Sequence, residues 1–361
     1  MIRRVPSILL ILLSLSCSLP WDTSYRRYTG PLPEDVAKRS CRDTTAAVRW
    51  IDLEDETERR ILAHWCATVG TPVLEDYRAA RETAPMDSLV MVSWNVHVGG
   101  GDVLRLVADL RTGALTGEPV DDFVLILQEV HRAGEVPLRD ASFVPPRIEA
   151  YPPDGERLDV DALARRLGLW VLYVPLMRNG SPGSGDTEED RGSAFLSTRP
   201  LDDLTAIELP YERNRRVAVA ATAAGETGAG VPWRMRMVNT HLSNRSEFTA
   251  TLGTTGMVGR MRQARVLCAA ITETPALLAG DFNTWAPSTL ERSLPLIREA
   301  FPLPETPDRN PTALARFAPD RRIDYFFFRL DASQRARYHR IDDVYGSDHY
   351  PLLAVVRFDV P

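Results

Sequence analysis

From residue 89 onward, short apolar runs alternate with segments of helical periodicity. The runs LVMVSW, DFVLILQE and LWVLYVP are typical of buried strands, whereas DVLRLVADLR and DVDALARRLG repeat apolar positions every three or four residues and predict helices. Three more strand-like runs follow without an obvious helix between them: GSAFLST, RRVAVAAT and PWRMRMVNTHL. A helix containing Cys268 and the runs PALLAGDFN, RIDYFFFR and YPLLAVVRF complete the pattern. This order predicts an α/β fold of two facing sheets with helices on their outer sides.

The chain begins with a different pattern. Residues 1–16 combine Arg3 and Arg4, an apolar run too short to span a bilayer, and small residues, which is the order of a secretory signal peptide. Residues 17–85 predict a helical extension, because DLEDETERRILAHWCATVG has helical periodicity and a glycine stop. Residues 86–361 are expected to form the main domain.

The cysteines bear on where the protein resides. Cys17 lies where a bacterial lipoprotein is cut and acylated, since LSLSC resembles a lipobox, and ordinary cleavage after Ser16 is the alternative. We therefore expect an exported bacterial protein that is periplasmic, extracellular or anchored to a membrane through Cys17. Export would allow Cys41 and Cys66 to form a disulfide if the segment between them folds back. Cys268 lies on a predicted helix at an apolar position, which favours a packing role.

Composition narrows the classes of function. The chain has 361 residues, of which 44% are hydrophobic and 25% charged, so it is typical of a globular protein. Its net charge of -6 argues mildly against tight, sequence-independent binding to nucleic acid. Residues 178–193 are rich in glycine, serine and acids and predict a flexible loop, where substrate selection would be placed.

Polar side chains recur at the ends of the predicted strands, where they leave the sheet edge and can converge. Each has a simple structural explanation taken alone, such as capping a turn, but their recurrence favours a shared site. Carboxylates and amides without thiolates suit a hard divalent cation, and imidazoles beside such a cation suit an anionic substrate. This set of polar side chains therefore predicts phosphoester hydrolysis. The residues are Asn95, Glu129, His241, Asp281, Asn283, Asp324, Asp348 and His349.

The ordered motifs SWNVH, ILQEV, NTHL, AGDFN, RIDYFFF and SDHYPLLA resemble those of the endonuclease/exonuclease/phosphatase superfamily. That family includes pancreatic-type deoxyribonucleases, abasic-site endonucleases and neutral sphingomyelinases. The resemblance covers about residues 88–359. It implies a four-layer α/β/β/α sandwich of the DNase I type, with residues 86–361 as the catalytic domain after the helical extension.

The resemblance also implies a cofactor and its ligands. Mg²⁺ or Mn²⁺ would be held mainly by Glu129, with Asn95 beside it and Asp348 positioning the metal or water. The substrate would carry phosphate, as a nucleic acid, a phospholipid headgroup or a small phosphate ester. A monomer is expected.

The remaining motif residues would act on the phosphate itself. Asp281 would orient or deprotonate the attacking water, and Asn283 would hold the phosphate or that water. His349 would donate to a phosphoryl oxygen, with its tautomer set by Asp324, and His241 would contact the phosphate from the other side. Water would attack directly, without a covalent intermediate.

Two questions stay open at the level of sequence. His97 stands where abasic-site endonucleases carry an acid or amide, so it is either a loop residue or a residue that faces the substrate. The chain as a whole is expected to be an exported metal-dependent phosphoesterase. The alternatives are a DNase-type endonuclease and a non-catalytic binding protein of the cell surface on the same fold.

Overall fold

A computed structural model describes the chain from residue 41 to residue 358 with several gaps. The described ranges are 41–42, 47–79, 83–134, 148–149, 157–181, 185–244, 256–285, 290–305, 310–314 and 320–358. The predicted signal peptide at 1–16 and the acylation site at Cys17 lie outside these residues. In the described ranges no helix has both the length and the hydropathy that crossing a bilayer requires.

The described elements are five helices and fourteen strands. The helices are α1 (Glu56–Cys66), α2 (Val103–Thr112), α3 (Val160–Leu167), α4 (Met257–Ala270) and α5 (Ser293–Ala300). The first seven strands are β1 (Arg49–Ile51), β2 (Val73–Asp76), β3 (Ser88–Asn95), β4 (Phe123–Ala133), β5 (Ile148–Glu149), β6 (Trp170–Ser181) and β7 (Gly185–Ser197). The others are β8 (Asp202–Glu208), β9 (Val217–Glu226), β10 (Pro232–His241), β11 (Ala276–Asp281), β12 (Asp324–Arg329), β13 (Gln334–Arg340) and β14 (Leu352–Phe358).

The strands form two mixed sheets. One has the order β1-β8-β9-β10-β11-β12, and the other has the order β13-β14-β3-β4-β7-β6-β2, with β5 paired to β6. Strand β3 shows how the sequence pattern builds the layers, because Leu89 and Met91 point into a core shared by both sheets, whereas Val90 and Val92 pack on the other side with α2 and α3. A third cluster joins α4 and α5 to the outer face of the first sheet. The predicted four-layer α/β/β/α sandwich is confirmed.

The helices begin and end where capping chemistry places them. Asp102 accepts a hydrogen bond from the Arg105 backbone N–H at the start of α2, and Gly113 ends that helix with φ 81°. Asp159 and Gly168 play the same roles for α3. Aspartate satisfies the free N–H groups of a first turn, and glycine takes the left-handed conformation at low cost.

The predicted helical extension contributes, in its described part, helix α1 and also two strands that the sequence did not indicate. Strand β1 pairs in parallel with β8, and β2 pairs antiparallel with β6, so the extension adds an edge strand to each sheet. These short segments are extended because the sheet edges offer their backbones hydrogen-bond partners. Cys41 and Cys66 form a disulfide, as the sequence allowed.

Candidate functional site

Three polar residues meet at one edge of the first sheet because of strand register. His241 ends β10 and is paired with Asp281 at the end of β11, which in turn is paired with Asp324 at the start of β12. The Nε2 atom of His241 lies 3.3 Å from Oδ2 of Asp281. All three side chains are almost fully buried. The sequence placed them at strand ends, and the structure brings them together.

His349 joins this group from the second sheet, just before β14. Its Nδ1 atom lies 2.9 Å from Oδ2 and 3.1 Å from Oδ1 of Asp324. Burial lowers the pKa of His349, but the charge and hydrogen bond of Asp324 outweigh it and raise the pKa to about 10. The ring therefore donates from Nδ1 to Asp324 and keeps a second N–H on Nε2, which lies 3.9 Å from Oδ2 of Asp281.

Asp281 is held in a setting suited to proton transfer. Burial, with the charge of Asp324 next, raises its pKa to about 7. Its carboxylate accepts hydrogen bonds from the Asn283 backbone N–H at 2.8 Å and from Nδ2 of Asn95 at 3.1 Å. An acid that titrates near neutral pH can both accept and release a proton there.

His241 is kept neutral, in contrast to His349. Burial, followed by the charges of Arg216 and Arg191, lowers its pKa well below the usual value. A neutral imidazole can still donate one hydrogen bond to an anion. The two histidines thus approach the same carboxylate, Asp281, in different charge states.

Asn283 is positioned by its own neighbours. Its φ is 51°, its Nδ2 donates to the Leu242 carbonyl at 2.8 Å, and its Oδ1 accepts from Trp285 Nε1 at 3.2 Å. The left-handed backbone turns the chain back immediately after Asp281. The amide side chain therefore helps to fix this turn at the edge of the site.

Glu129 lies on a β-bulge of β4, with φ 54°. Its Oε2 accepts a hydrogen bond from Nη1 of Arg191 at 3.0 Å, and its Oε1 is 3.9 Å from Nε2 of His241. Burial would raise the pKa of Glu129, but the charges of Arg191 and Arg216 outweigh it, so the pKa is lowered. The carboxylate is therefore ionised at neutral pH.

Asn95 and Asp348 complete the predicted metal-ligating set. Asn95 is buried, and its Oδ1 accepts from the His97 backbone N–H at 3.0 Å. Asp348 is at the mouth of the site, where its side chain is 48% exposed and its Oδ1 lies 4.0 Å from Nε2 of His349. The structure thus places the predicted ligands at two depths of one site.

Two sets of residues could hold a divalent cation. Among the described residues, Asp281, Asp324 and His349 have ligand atoms within 4.8 Å of one another. Nδ1 of His349 is already bonded to Asp324, so that group is better explained as a hydrogen-bonded pair next to a carboxylate. Glu129 and Asn95 offer oxygen ligands beside it, since Oε1 receives no hydrogen bond from a described residue and a carbonyl oxygen has a second lone pair. This donor chemistry fits a hard divalent cation.

Sequence reasoning did not identify the two arginines whose charges lower the pKa of Glu129. Arg191 lies on β7, in the stretch predicted to be a loop, and Arg216 immediately precedes β9. The described parts of 178–193 belong instead to the hairpin strands β6 and β7. Their pairing shows that acidic and glycine-rich residues become extended when a partner strand supplies their hydrogen bonds.

Comparisons with known proteins agree with the fold. A family model described as the endonuclease/exonuclease/phosphatase family matches residues 92–349. An endonuclease/exonuclease/phosphatase from Beutenbergia cavernae DSM 12333 is 22% identical, with 76% of this chain and 72% of that chain covered and a TM-score of 0.53.

More distant solved structures include a beta toxin mutant from Staphylococcus aureus with bound magnesium ions. It is 15% identical over 75% of this chain and 99% of that chain, with a TM-score of 0.42. Sphingomyelinase C from Streptomyces griseocarneus is 14% identical over 74% of this chain and 99% of that chain, with a TM-score of 0.39. No curated protein matches the sequence.

Proposed function

Because the chain belongs to the endonuclease/exonuclease/phosphatase family, whose model matches most of its length, we propose that it is an exported, divalent-metal-dependent hydrolase of a phosphate ester or diester. The observation that carries the proposal is the Asp324–His349 hydrogen bond beside Asp281. It places a charged imidazole next to a carboxylate that titrates near neutral pH. A water molecule needs both groups to attack an anionic phosphate: a base for its proton and a hydrogen-bond donor to the phosphate.

The residues divide the reaction between them. Asp281 holds a water and takes its proton as the water oxygen bonds to phosphorus. His349 and His241 donate hydrogen bonds to phosphoryl oxygens, on which negative charge grows in the transition state. The bond from phosphorus to the leaving oxygen then breaks, and that oxygen keeps the electron pair. Asp324 keeps His349 protonated throughout.

Glu129 and Asn95 would hold Mg²⁺ or Mn²⁺, with Asp348 toward the mouth of the site. The cation would supply Lewis-acid polarisation of the phosphate when bound. The positive charge of Arg191, next to Glu129, opposes cation binding. We therefore expect the site to fill at a higher cation concentration than a site of the same size formed by carboxylates alone.

Export is supported by the disulfide between Cys41 and Cys66, because such bonds persist in oxidising compartments. A signal peptide at 1–16 would direct export, and acylation of Cys17 would bring the active site near a membrane. The substrate would then be a phospholipid headgroup, a nucleic acid or a small phosphate ester. The acidic net charge of the chain argues mildly against nucleic acid.

The test is hydrolysis of plasmid DNA, sphingomyelin and bis(p-nitrophenyl) phosphate with Mg²⁺, with Mn²⁺ and with EDTA. We expect metal-dependent turnover of at least one substrate, with strong loss in His349→Ala and in Asp281→Asn. His339→Ala, at an exposed position of β13, is the matched control and should retain the rate. If no substrate is turned over with either metal, the enzymatic proposal is wrong and a binding role on this fold becomes the better explanation.

A further inference from the structure

The turn after β3 has an unusual backbone. His97 and Val98 have φ values of 46° and 54°, and Gly99 follows with 78°. A left-handed conformation is uncommon for non-glycine residues and is a clear outlier for a β-branched one such as Val98. Residues held in this way cluster at functional sites.

The backbone of the turn is fixed by hydrogen bonds, one of them to the site residue Asn95. The His97 backbone N–H donates to Oδ1 of Asn95 at 3.0 Å, and the His97 carbonyl accepts from the Gly100 N–H at 3.0 Å. The Val98 carbonyl accepts from Nη1 of Arg157 at 3.3 Å. Three hydrogen bonds thus hold the backbone of His97 and Val98 in this turn.

This backbone places the His97 ring at the mouth of the site. Its Nδ1 lies 3.8 Å from Oδ1 of Asp348, and its side chain is 30% exposed. That distance is too long for a hydrogen bond, and no described residue donates to or accepts from the ring.

Four side chains form a series from the buried end of the site to its mouth. Asp281 Oδ2 and His349 Nε2 are 3.9 Å apart, His349 Nε2 and Asp348 Oδ1 are 4.0 Å apart, and Asp348 Oδ1 and His97 Nδ1 are 3.8 Å apart. Exposure is 2% and 9% at the first two and 48% and 30% at the last two. With a water at Asp281 and the phosphate beside His349, in-line attack would direct the leaving group toward the open end, where His97 lies.

We propose that His97 is a further catalytic residue, which donates a hydrogen bond from Nε2 to the oxygen of the departing alcohol. This inference rests on the proposed hydrolysis. In that step the water oxygen bonds to phosphorus, Asp281 takes the water proton, and the leaving oxygen keeps the electron pair of the broken bond. The leaving oxygen then takes a proton from solvent. His97 stabilises the charge on that oxygen by the hydrogen bond alone and transfers no proton.

The test uses methyl aryl phosphate diesters whose leaving group ranges from p-nitrophenol to phenol. A donor to the leaving oxygen matters most when that oxygen bears most charge, as with phenol. We expect His97→Ala to lower kcat/KM for the phenyl ester about tenfold more than for the p-nitrophenyl ester, since a hydrogen bond to a charged group is worth about one to two decades in rate. His97→Gln, which keeps an N–H donor, should restore most of the difference.

The comparison of two esters within one variant removes any effect of misfolded protein, because the active fraction cancels in the ratio. Equal losses on all esters in His97→Ala, or no loss, would overturn the assignment. So would a His97→Gln variant that behaves like His97→Ala. His339→Ala is the control and should leave the ratio unchanged. If the wild type hydrolyses none of the esters, or His349→Ala retains the full rate, the failure belongs to the proposed function instead.

Discussion

The role of the hydrogen bond between Asp324 and His349 can be tested directly by mutation. Asp324→Asn keeps the shape of the side chain and removes its charge. In the wild type, both carboxylate oxygens of Asp324 lie within hydrogen-bond distance of Nδ1 of His349, at 2.9 and 3.1 Å. An amide would offer one acceptor, no charge and a competing N–H donor. The variant therefore removes the largest of the interactions that raise the pKa of His349, while leaving the buried packing almost unchanged.

The expected size of the effect follows from the nature of the bond. Hydrogen bonds to a charged group contribute about 1.5–3 kcal/mol. If His349 donates to the phosphoryl oxygen only when Asp324 fixes its tautomer and charge, that free energy is lost from the transition state. A loss of this size corresponds to a decrease of about ten- to hundredfold in kcat. KM should change little, because the lost contact acts mainly on developing charge.

The assay is steady-state hydrolysis of bis(p-nitrophenyl) phosphate, or of whichever substrate the panel identifies, at saturating Mg²⁺ and neutral pH. Asp342→Asn is the matched control, since Asp342 is 89% exposed, pairs with Arg340 and should keep the full rate. Unfolding curves of both variants check that the fold is intact. A folded Asp324→Asn variant whose kcat is within twofold of the wild type would refute the role of the pair.

Three further outcomes are expected. Replacing Cys41 and Cys66 by serine should lower the free energy of unfolding in urea by about 3.5 kcal/mol, the chain-entropy value for a separation of 25 residues, and a change below about 0.5 kcal/mol would contradict it. Glu129→Gln should weaken Mn²⁺ binding, as measured by calorimetry, by more than about tenfold. The same change at an exposed glutamate should leave Mn²⁺ binding unchanged. In EDTA, the stability gained from the raised pKa of His349 is fully present below pH 6.5 and is lost as pH rises through about 10. The stability difference between wild type and Asp324→Asn, from urea unfolding, should therefore shrink across that range, and a difference that grows would contradict the charge assignment.

The sequence predicted the elements that carry their own pattern. Buried runs such as those of β3 and β4, and the periodic helices α2 and α3, are defined by residues within each segment. The edge strands β1, β2 and β13 were missed because a short edge strand is defined by its partner, which sequence periodicity does not reveal. The same limit applies to the site. Strand-end residues such as Asp281 were found, but Arg191 was not, because its contact with Glu129 depends on the pairing of β4 with β7.

In the motif AGDFN, the glycine is required by the packing of two strands, which the motif alone does not reveal. Gly280 has φ 140°, and a Cβ at this position would lie 1.9 Å from the Thr240 carbonyl oxygen on the neighbouring strand. Only glycine therefore lets β11 approach β10 this closely. That pairing continues one residue further, where it sets His241 beside Asp281. The glycine carries no chemistry, yet it fixes the register on which the contact between the imidazole and the carboxylate depends.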